Sequence, residues 1–486
     1  MQTLYPLNDV DQIKVHGKVM YDTDAQPIQR RIVVNGRLSP LVTLKCGVAQ
    51  GDPLSCLLYI LCDESKHIML RAHAELNGIP LPARHGRGSR SAVSSGFADD
   101  TAVYMTTMHE MGIVQSILDA FCLISGQKVN WGKCMALALG PASTERPPGG
   151  TPFEFLREGE PERYLGAQVG SKLDLAFMWQ GDTQSPGIIH KAATRANAWA
   201  KHHLSLVGRV LVAKACISSV ASFHHMTMGM PDDALKELHT VVWKFLWNSN
   251  STAGCCSQQV ASGSKQMGGV NAMQVIPHHQ ALLCKWPVWL LDGKDGVWKD
   301  LAWYWVNMVG EKWRLREHLL LSQPTPSLTK ALKVAPIPLF WKQVISAFWK
   351  LKPMRLIAPE CREQVLAQPI NFNGHILNAN GKPYCMNGWA NGDDGWYTVN
   401  DLWNTSTGSW YTTEQAMGWL KRGQARLVQK VVRSIPPSWR ALVESEGDEP
   451  SLGDWLVLNS NTDDQPLGMV VGIDRHTAQV RVHEWS

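Results

Sequence analysis

Apolar and polar positions along this 486-residue chain change rhythm near Gly170. Before it, short alternating runs read as strands: Arg31 to Val34, Leu41 to Leu44, Val93 to Phe97 and Thr101 to Met105. Asn35-Gly36 is a turn signal between the first two, although the gap to Leu41 is too long for the tightest hairpin. After Asp52-Pro53, a cap and first-turn pair, Leu54, Leu57, Leu58, Leu61, Ile68 and Met69 recur at helical spacing and predict an apolar stripe. Met108 to Ser125 predicts a second amphipathic helix through Met111, Val114, Ile117, Leu118 and Phe121, ended by Ser125-Gly126-Gln127-Lys128. Val129 to Leu139 reads as a strand carrying Asn130 and Lys133, and Tyr164-Leu165-Gly166 starts another.

Beyond Gly170 the period is helical over Ile188 to Leu204, Val207 to His224, Ala234 to Trp247, Pro277 to Leu291 and Val297 to Val309, as in a small helical bundle. Residues 320 to 380 are proline-punctuated and read as a junction, and Thr412 to Ile435 belongs to a mixed module. Trp455 to Val482 alternates like a small β module. The class is α+β, divided as 1–170, 171–250, 251–320, 321–445 and 446–486.

Composition narrows the function classes. The length accommodates about two to four domains, and 44% hydrophobic content describes a chain that buries cores. The net charge of +5 is small, but residues 190 to 250 carry seven Lys/Arg against three Asp/Glu, while 371 to 486 carry nine against thirteen. A surface for nucleic-acid backbone is therefore expected in the front and middle of the chain. The eleven cysteines include no Cys-x-x-Cys, which indicates neither a disulfide framework nor a zinc site. With no basic-then-apolar leader and no run of eighteen apolar residues, an intracellular protein, neither secreted nor membrane-spanning, is expected. The twenty-one tryptophans are expected mostly in packing, with a few free to stack on bases.

The candidate chemistry centres on Asp99-Asp100, held between the arms of a predicted hairpin. Two carboxylates that close repel unless a cation lies between them, and hard oxygen donors suit Mg²⁺ or Mn²⁺. A solvated turn explains the same dipeptide without any ligand. Gly47 to Ser55 ends a strand and opens a helix, so it reads either as a loop whose free amides meet a phosphate or as an efficient strand-to-helix turn.

Taken in order, Gly47-Val48-Ala49-Gln50-Gly51-Asp52-Pro53-Leu54-Ser55, a long helix, Phe97-Ala98-Asp99-Asp100, Ser125 to Asn130 with Lys133, and Tyr164-Leu165-Gly166 resemble the reverse transcriptase of a non-LTR, LINE-type retrotransposon. Leu204 to Leu211, Lys244 to Trp247 and Gly268-Gly269-Val270 resemble the thumb and following region, so the likeness spans roughly residues 30 to 310. The resemblance implies a partial polymerase palm followed by a helical thumb. It implies metal ligation and catalysis by Asp99 and Asp100. Gln50, Gly51, Asp52 and Phe97 would line the template and incoming nucleotide. Lys133 would approach the triphosphate, or face solvent. Tyr164, Leu165 and Gly166 would steady the primer, and Lys191, Arg195, Lys201, Arg209 and Lys214 would flank the duplex backbone. Mg²⁺ or Mn²⁺ would be the cofactor; an RNA template, a DNA primer and dNTPs would be the partners.

Departures from the pattern matter as well. Ala49 and Cys56 replace the Arg and Pro common in the family, and no Tyr-Asp-x-Val-like segment precedes Gly47, where the family keeps a further metal-binding aspartate. The resemblance therefore implies an incomplete palm that is a poor polymerase or an inactive one by itself, leaving RNA or RNA–DNA hybrid binding as the alternative role. An incomplete palm is also expected to expose part of its core.

Overall fold

The computed structural model describes residues 12–15, 18–22, 28–30, 33–34, 37–40, 42–44, 53–83, 89–140, 152–182, 184–291, 296–313, 315, 318–351, 354–356, 359, 361–386, 397–418, 422–445, 455–460, 469–474 and 479–484. The chain divides into two units, one of Met1–Leu81 with Ser89–Leu173 and one that holds Asp174–Ser486.

In the first unit, the described strands form two-stranded ladders. Ser94–Phe97 pairs antiparallel with Asp100–Val103, and Glu162–Tyr164 with Ala167–Val169. Ile28–Arg30 pairs with Val42–Leu44, enclosing a shorter ladder of Val33–Val34 with Arg37–Leu38. The Asn35-Gly36 turn signal falls between these two strands and lies outside the described residues. No larger sheet joins these ladders among the described residues, so the palm sheet implied by the resemblance is not closed here. Isolated two-stranded ladders are marginal, and helices Pro53–Ala72 and Glu110–Ser125 supply the packing. The second helix ends as anticipated: Gly126 adopts φ 65° and returns its N–H to the Cys122 carbonyl at 3.0 Å.

Two expectations for this unit are corrected. Half of the apolar stripe of Pro53–Ala72 does not face inward: Leu57, Leu61 and Ile68 are exposed and Leu54, Leu58 and Met69 half-buried, whereas Asp63, Lys66, His67 and Leu70 are buried. At 3.6 residues per turn the exposed and the buried sets lie on nearly opposite sides of the helix. Lys133 is not on a strand. It ends a 3-10 turn, Trp131–Lys133, closed by Lys133 N–H to Asn130 O at 2.9 Å, and the strand is only Met135–Ala136. Gly132 has no side chain to pack on a pleated surface, which favours the turn.

In the second unit, burial dominates. Helices Ile188–Ala200, Leu206–Val212, Ser219–Met228 and Asp232–Trp247 enclose Trp179, Ile217, Leu238 and Trp243, and the indole N–H of Trp179 donates to Gly229 O at 2.9 Å. Leu206–Met228 runs on through a π-helical stretch, Ala213–Ser218. It is long and apolar enough to cross a membrane by length and composition, while its Val210, Ala213, Ile217 and Ala221 pack in this core. Where a proline-punctuated junction was expected, Pro326–Val334 and Leu339–Lys350 form helices that bury Leu328, Val344, Ile345 and Phe348 with Trp303 and Trp313. Prolines at the first turn or just before it start these helices instead of breaking them. A third core gathers Val399, Leu402, Val428, Val431 and Trp439. The tail strands Trp455–Ser460, Met469–Asp474 and Gln479–Glu484 form an antiparallel sheet that takes its fourth strand from Met354–Leu356.

Candidate functional site

The Asp99-Asp100 hairpin closes through a two-residue turn, Ala98-Asp99, with Phe97 opposite Asp100, Gly96 opposite Thr101 and Ser94 opposite Val103. Side chains alternate along a strand. Ser94, Gly96, Thr101 and Val103 therefore share one face; Ser95, Phe97, Asp100 and Ala102 share the other. Both aspartates are exposed, and so is Phe97. Ala98 sits at φ 53°, in the left-handed region that costs a residue with a Cβ about 1–2 kcal/mol. Its carbonyl accepts a hydrogen bond from the Tyr59 hydroxyl at 3.3 Å, so a tertiary contact helps to hold the strained tip.

The first face rests on the Pro53–Ala72 helix through buried polar groups. Lys66 Nζ donates to Asp63 Oδ1 at 2.6 Å and to Thr101 Oγ1 at 2.7 Å. His67 Nδ1 lies 2.9 Å from Ser94 Oγ, and its Nε2 lies 3.4 Å from Asp63 Oδ2. Burial pushes the His67 pKa down and the Lys66 ammonium adds to that, against the opposing pull of Asp63 and Glu64. Gly96 lets the helix approach: a Cβ there would stand 2.4 Å from His67 Nε2. A cleft of ≈ 180 Å³ opens beside this contact, lined by Tyr59, Asp63, His67, Ser94, Gly96 and Ala98.

On the second face, a sequence-distant motif arrives. Tyr104 OH lies 2.9 Å from Ser95 Oγ, and the Tyr164 hydroxyl comes close enough to interact with the same serine, with Tyr104 and with Asp100. Burial raises the Tyr164 pKa; the Ser95 bond opposes that, while Tyr104 and Asp100 add to it. Leu165 and Gly166, at φ 49° and 85°, make the two-residue turn between Glu162–Tyr164 and Ala167–Val169, the backbone required where two right-twisted strands reverse so tightly. The fold thus brings Tyr164 and its turn beside Asp100, across 64 residues of sequence.

The other anticipated positions are more scattered. Gln50, Gly51 and Asp52 lie outside the described residues. Lys133 is exposed in its 3-10 turn. In the helical unit, Lys191, Lys201 and Lys214 are exposed. Arg195 Nη1 donates to Cys216 O at 3.2 Å, and half-buried Arg209 reaches Leu246 O at 3.5 Å, near the end of Asp232–Trp247, where a cation meets the negative end of the helix. Asp99 and Asp100 offer the oxygen donors that Mg²⁺ takes, but among the described residues no cluster of three His, Cys, Asp or Glu could complete a metal site. The sequence reading missed Tyr59, Asp63, Lys66 and His67. Their signal was present as a polar series at helical spacing, obscured by the stronger apolar series on the opposite side.

Comparison with known proteins gives distant relations. No family model matches the chain. It is 22% identical over 347 residues to the transposon TX1 uncharacterized 149 kDa protein of Xenopus laevis, an alignment that takes in 70% of this chain and 25% of that protein. Over 116 residues, 23% of the chain, it is 28% identical to an Arabidopsis thaliana protein bearing a ribonuclease H name, of which the match covers 18%. The chain spans a quarter or less of the length of these curated relatives. It is thus distantly similar to a transposon protein and to a protein named for a nuclease, on an α+β framework.

Proposed function

We propose that this chain carries the catalytic hairpin and helical flank of a LINE-type RNA-directed DNA polymerase. The observation that carries the reading is the convergence of Tyr164-Leu165-Gly166 on the face of the hairpin that bears Asp100. Asp99 at the tip and Asp100 beside it would hold divalent metal, Mg²⁺ or Mn²⁺, which would supply charge stabilisation to an in-line phosphoryl transfer. The buried Asp63–Lys66–Thr101 contacts fix the hairpin from behind. Tyr164 and its turn steady the primer end, Gln50, Gly51, Asp52 and Phe97 follow the template and incoming dNTP, and Lys133 meets the triphosphate. Lys191, Arg195, Lys201, Arg209 and Lys214 follow the duplex backbone. This reading places the protein inside the cell, in nucleus or cytoplasm.

A second reading, binding of RNA or an RNA–DNA hybrid without chemistry, is favoured by one observation: no third metal-ligating side chain joins the two aspartates among the described residues. Primer extension on an RNA template, with dNTPs and Mg²⁺, separates the two. Extension that disappears in Asp99→Ala supports the polymerase. No extension, with salt-sensitive hybrid binding retained in Asp99→Ala, supports the binding role. Neither extension nor binding overturns both.

A further inference from the structure

The acid-rich C-terminal third of the chain contains a cationic row that its summed charge conceals. In helix Arg422–Ser434, the apolar side is spent on the third core: Ala425, Val428, Val431 and the following Ile435 are fully buried. Arg426, Lys430 and Arg433 are exposed. At 3.6 residues per turn these three fall within an arc of about 60°, on the side away from that core, and they span about 10 Å of helix axis. No Asp or Glu occurs anywhere from 422 to 434.

An ordinary solvated helix face interleaves acids with bases at i,i+4 and gains from the pairs. Here Arg426 and Lys430 repel at that spacing. Acids close by in sequence are few among the described residues. Residues 413 to 445 hold six Lys/Arg against Glu414 and Glu444, and Glu444 Oε1 is taken by the indole N–H of Trp410 at 2.7 Å. Among the described residues, no ion pair joins the three cations.

We propose that Arg426, Lys430 and Arg433 form a binding row for the phosphodiester backbone of single-stranded nucleic acid, separate from the hairpin and from the basic residues between 190 and 250. Phosphates repeat about every 3.4 Å along the axis of a strand in a duplex and further apart in an extended strand, so a row of this length meets about two or three. Because the apolar side of the helix is already buried in the protein core, this is not a helix that lies in a lipid surface. The row also lacks the exposed aromatic anchor that marks a protein–protein hot spot.

The test uses the full chain and a fluorescein-labelled, mixed-sequence RNA of about 20 nucleotides, titrated across a series of salt concentrations. The R426Q/K430Q/R433Q variant is expected to bind roughly tenfold more weakly near 0.1 M salt, with the slope of log K against log salt reduced by about two. R426K/R433K, which keeps the charges, is expected to retain the parental slope. DNA of the same sequence is expected to follow the RNA, because the row reads backbone and not base. Helix content and unfolding midpoint serve as controls; if the triple variant loses its fold, single substitutions report the same slope change in parts. Unchanged affinity and slope overturn the proposal. So does a loss confined to phosphatidylserine vesicles, with RNA binding intact. The inference does not rest on the polymerase reading, because none of its three residues is among those assigned to that reading.

Discussion

The hairpin unit and the helical unit are held together by different means. Behind the hairpin, a small apolar cluster of Leu70, Leu76, Val114 and Ile117 is joined by a buried network of Asp63, Lys66, His67, Ser94 and Thr101. The helical unit rests on large aromatic and aliphatic clusters. Hydrophobic burial is strong and weakly directional, whereas buried hydrogen bonds are specific in geometry and costly to break. One unit therefore fixes the position of a turn, and the other supplies bulk stability. The hairpin unit also leaves apolar side chains in solvent, with Leu61 70% and Leu123 88% exposed.

The comparison is broken most severely by removing aromatic bulk from the helical unit. Trp243→Ala, at a side chain 1% exposed, is expected to destabilise that unit by about 4 kcal/mol in urea unfolding. The hairpin should lose definition, with helical content kept, when Lys66 is replaced by Met. The change leaves Asp63 without its cation and Thr101 without its donor, at about 3 kcal/mol, and should appear as faster amide exchange across Ser94–Val103.

Acid should act on the helical unit with an effect on the order of 3 kcal/mol. His225 and His279 face each other, Nδ1 to Nδ1, at 2.9 Å, and burial holds their pKa values down to about 4 and about 3 against 6.5 for a free ring. Neutral in the folded state, the pair leaves the unfolded chain to take up protons first. Stability is full above pH 6.5 and falls as pH drops from 6.5 toward 4 and below. Urea midpoints at pH 7 and pH 4.5 should differ, and a His225→Gln/His279→Leu variant should flatten that difference.

A smaller effect, about 2 kcal/mol, is expected for Gly96→Ala, whose new methyl would push His67 and the helix away from the hairpin. The smallest tests the exposed side of Pro53–Ala72: Leu61→Gln should change stability by less than about 0.5 kcal/mol and raise solubility. A loss of several kcal/mol there would mean that the face is covered in solution.

Much of this was legible in the chain itself. Ala98-Asp99 lies at a tight reversal, Gly126 ends its helix, and the helical periods after Gly170 are realised as helices, whereas Tyr164-Leu165-Gly166, read as the start of a strand, ends one and makes the turn that follows. These features depend on φ preferences and on apolar spacing within a few residues, so local sequence specifies them. The sequence could not say which side of Pro53–Ala72 would be buried, because that depends on Ser94, Gly96 and Thr101 arriving some 30 residues later with matching polar groups. Nor could it bring Met354–Leu356 to Trp455–Ser460, or Tyr164 to Ser95. A residue's propensity is carried in its own backbone and its near neighbours; its partner is chosen only when distant segments compete to satisfy the same buried hydrogen bonds and fill the same space.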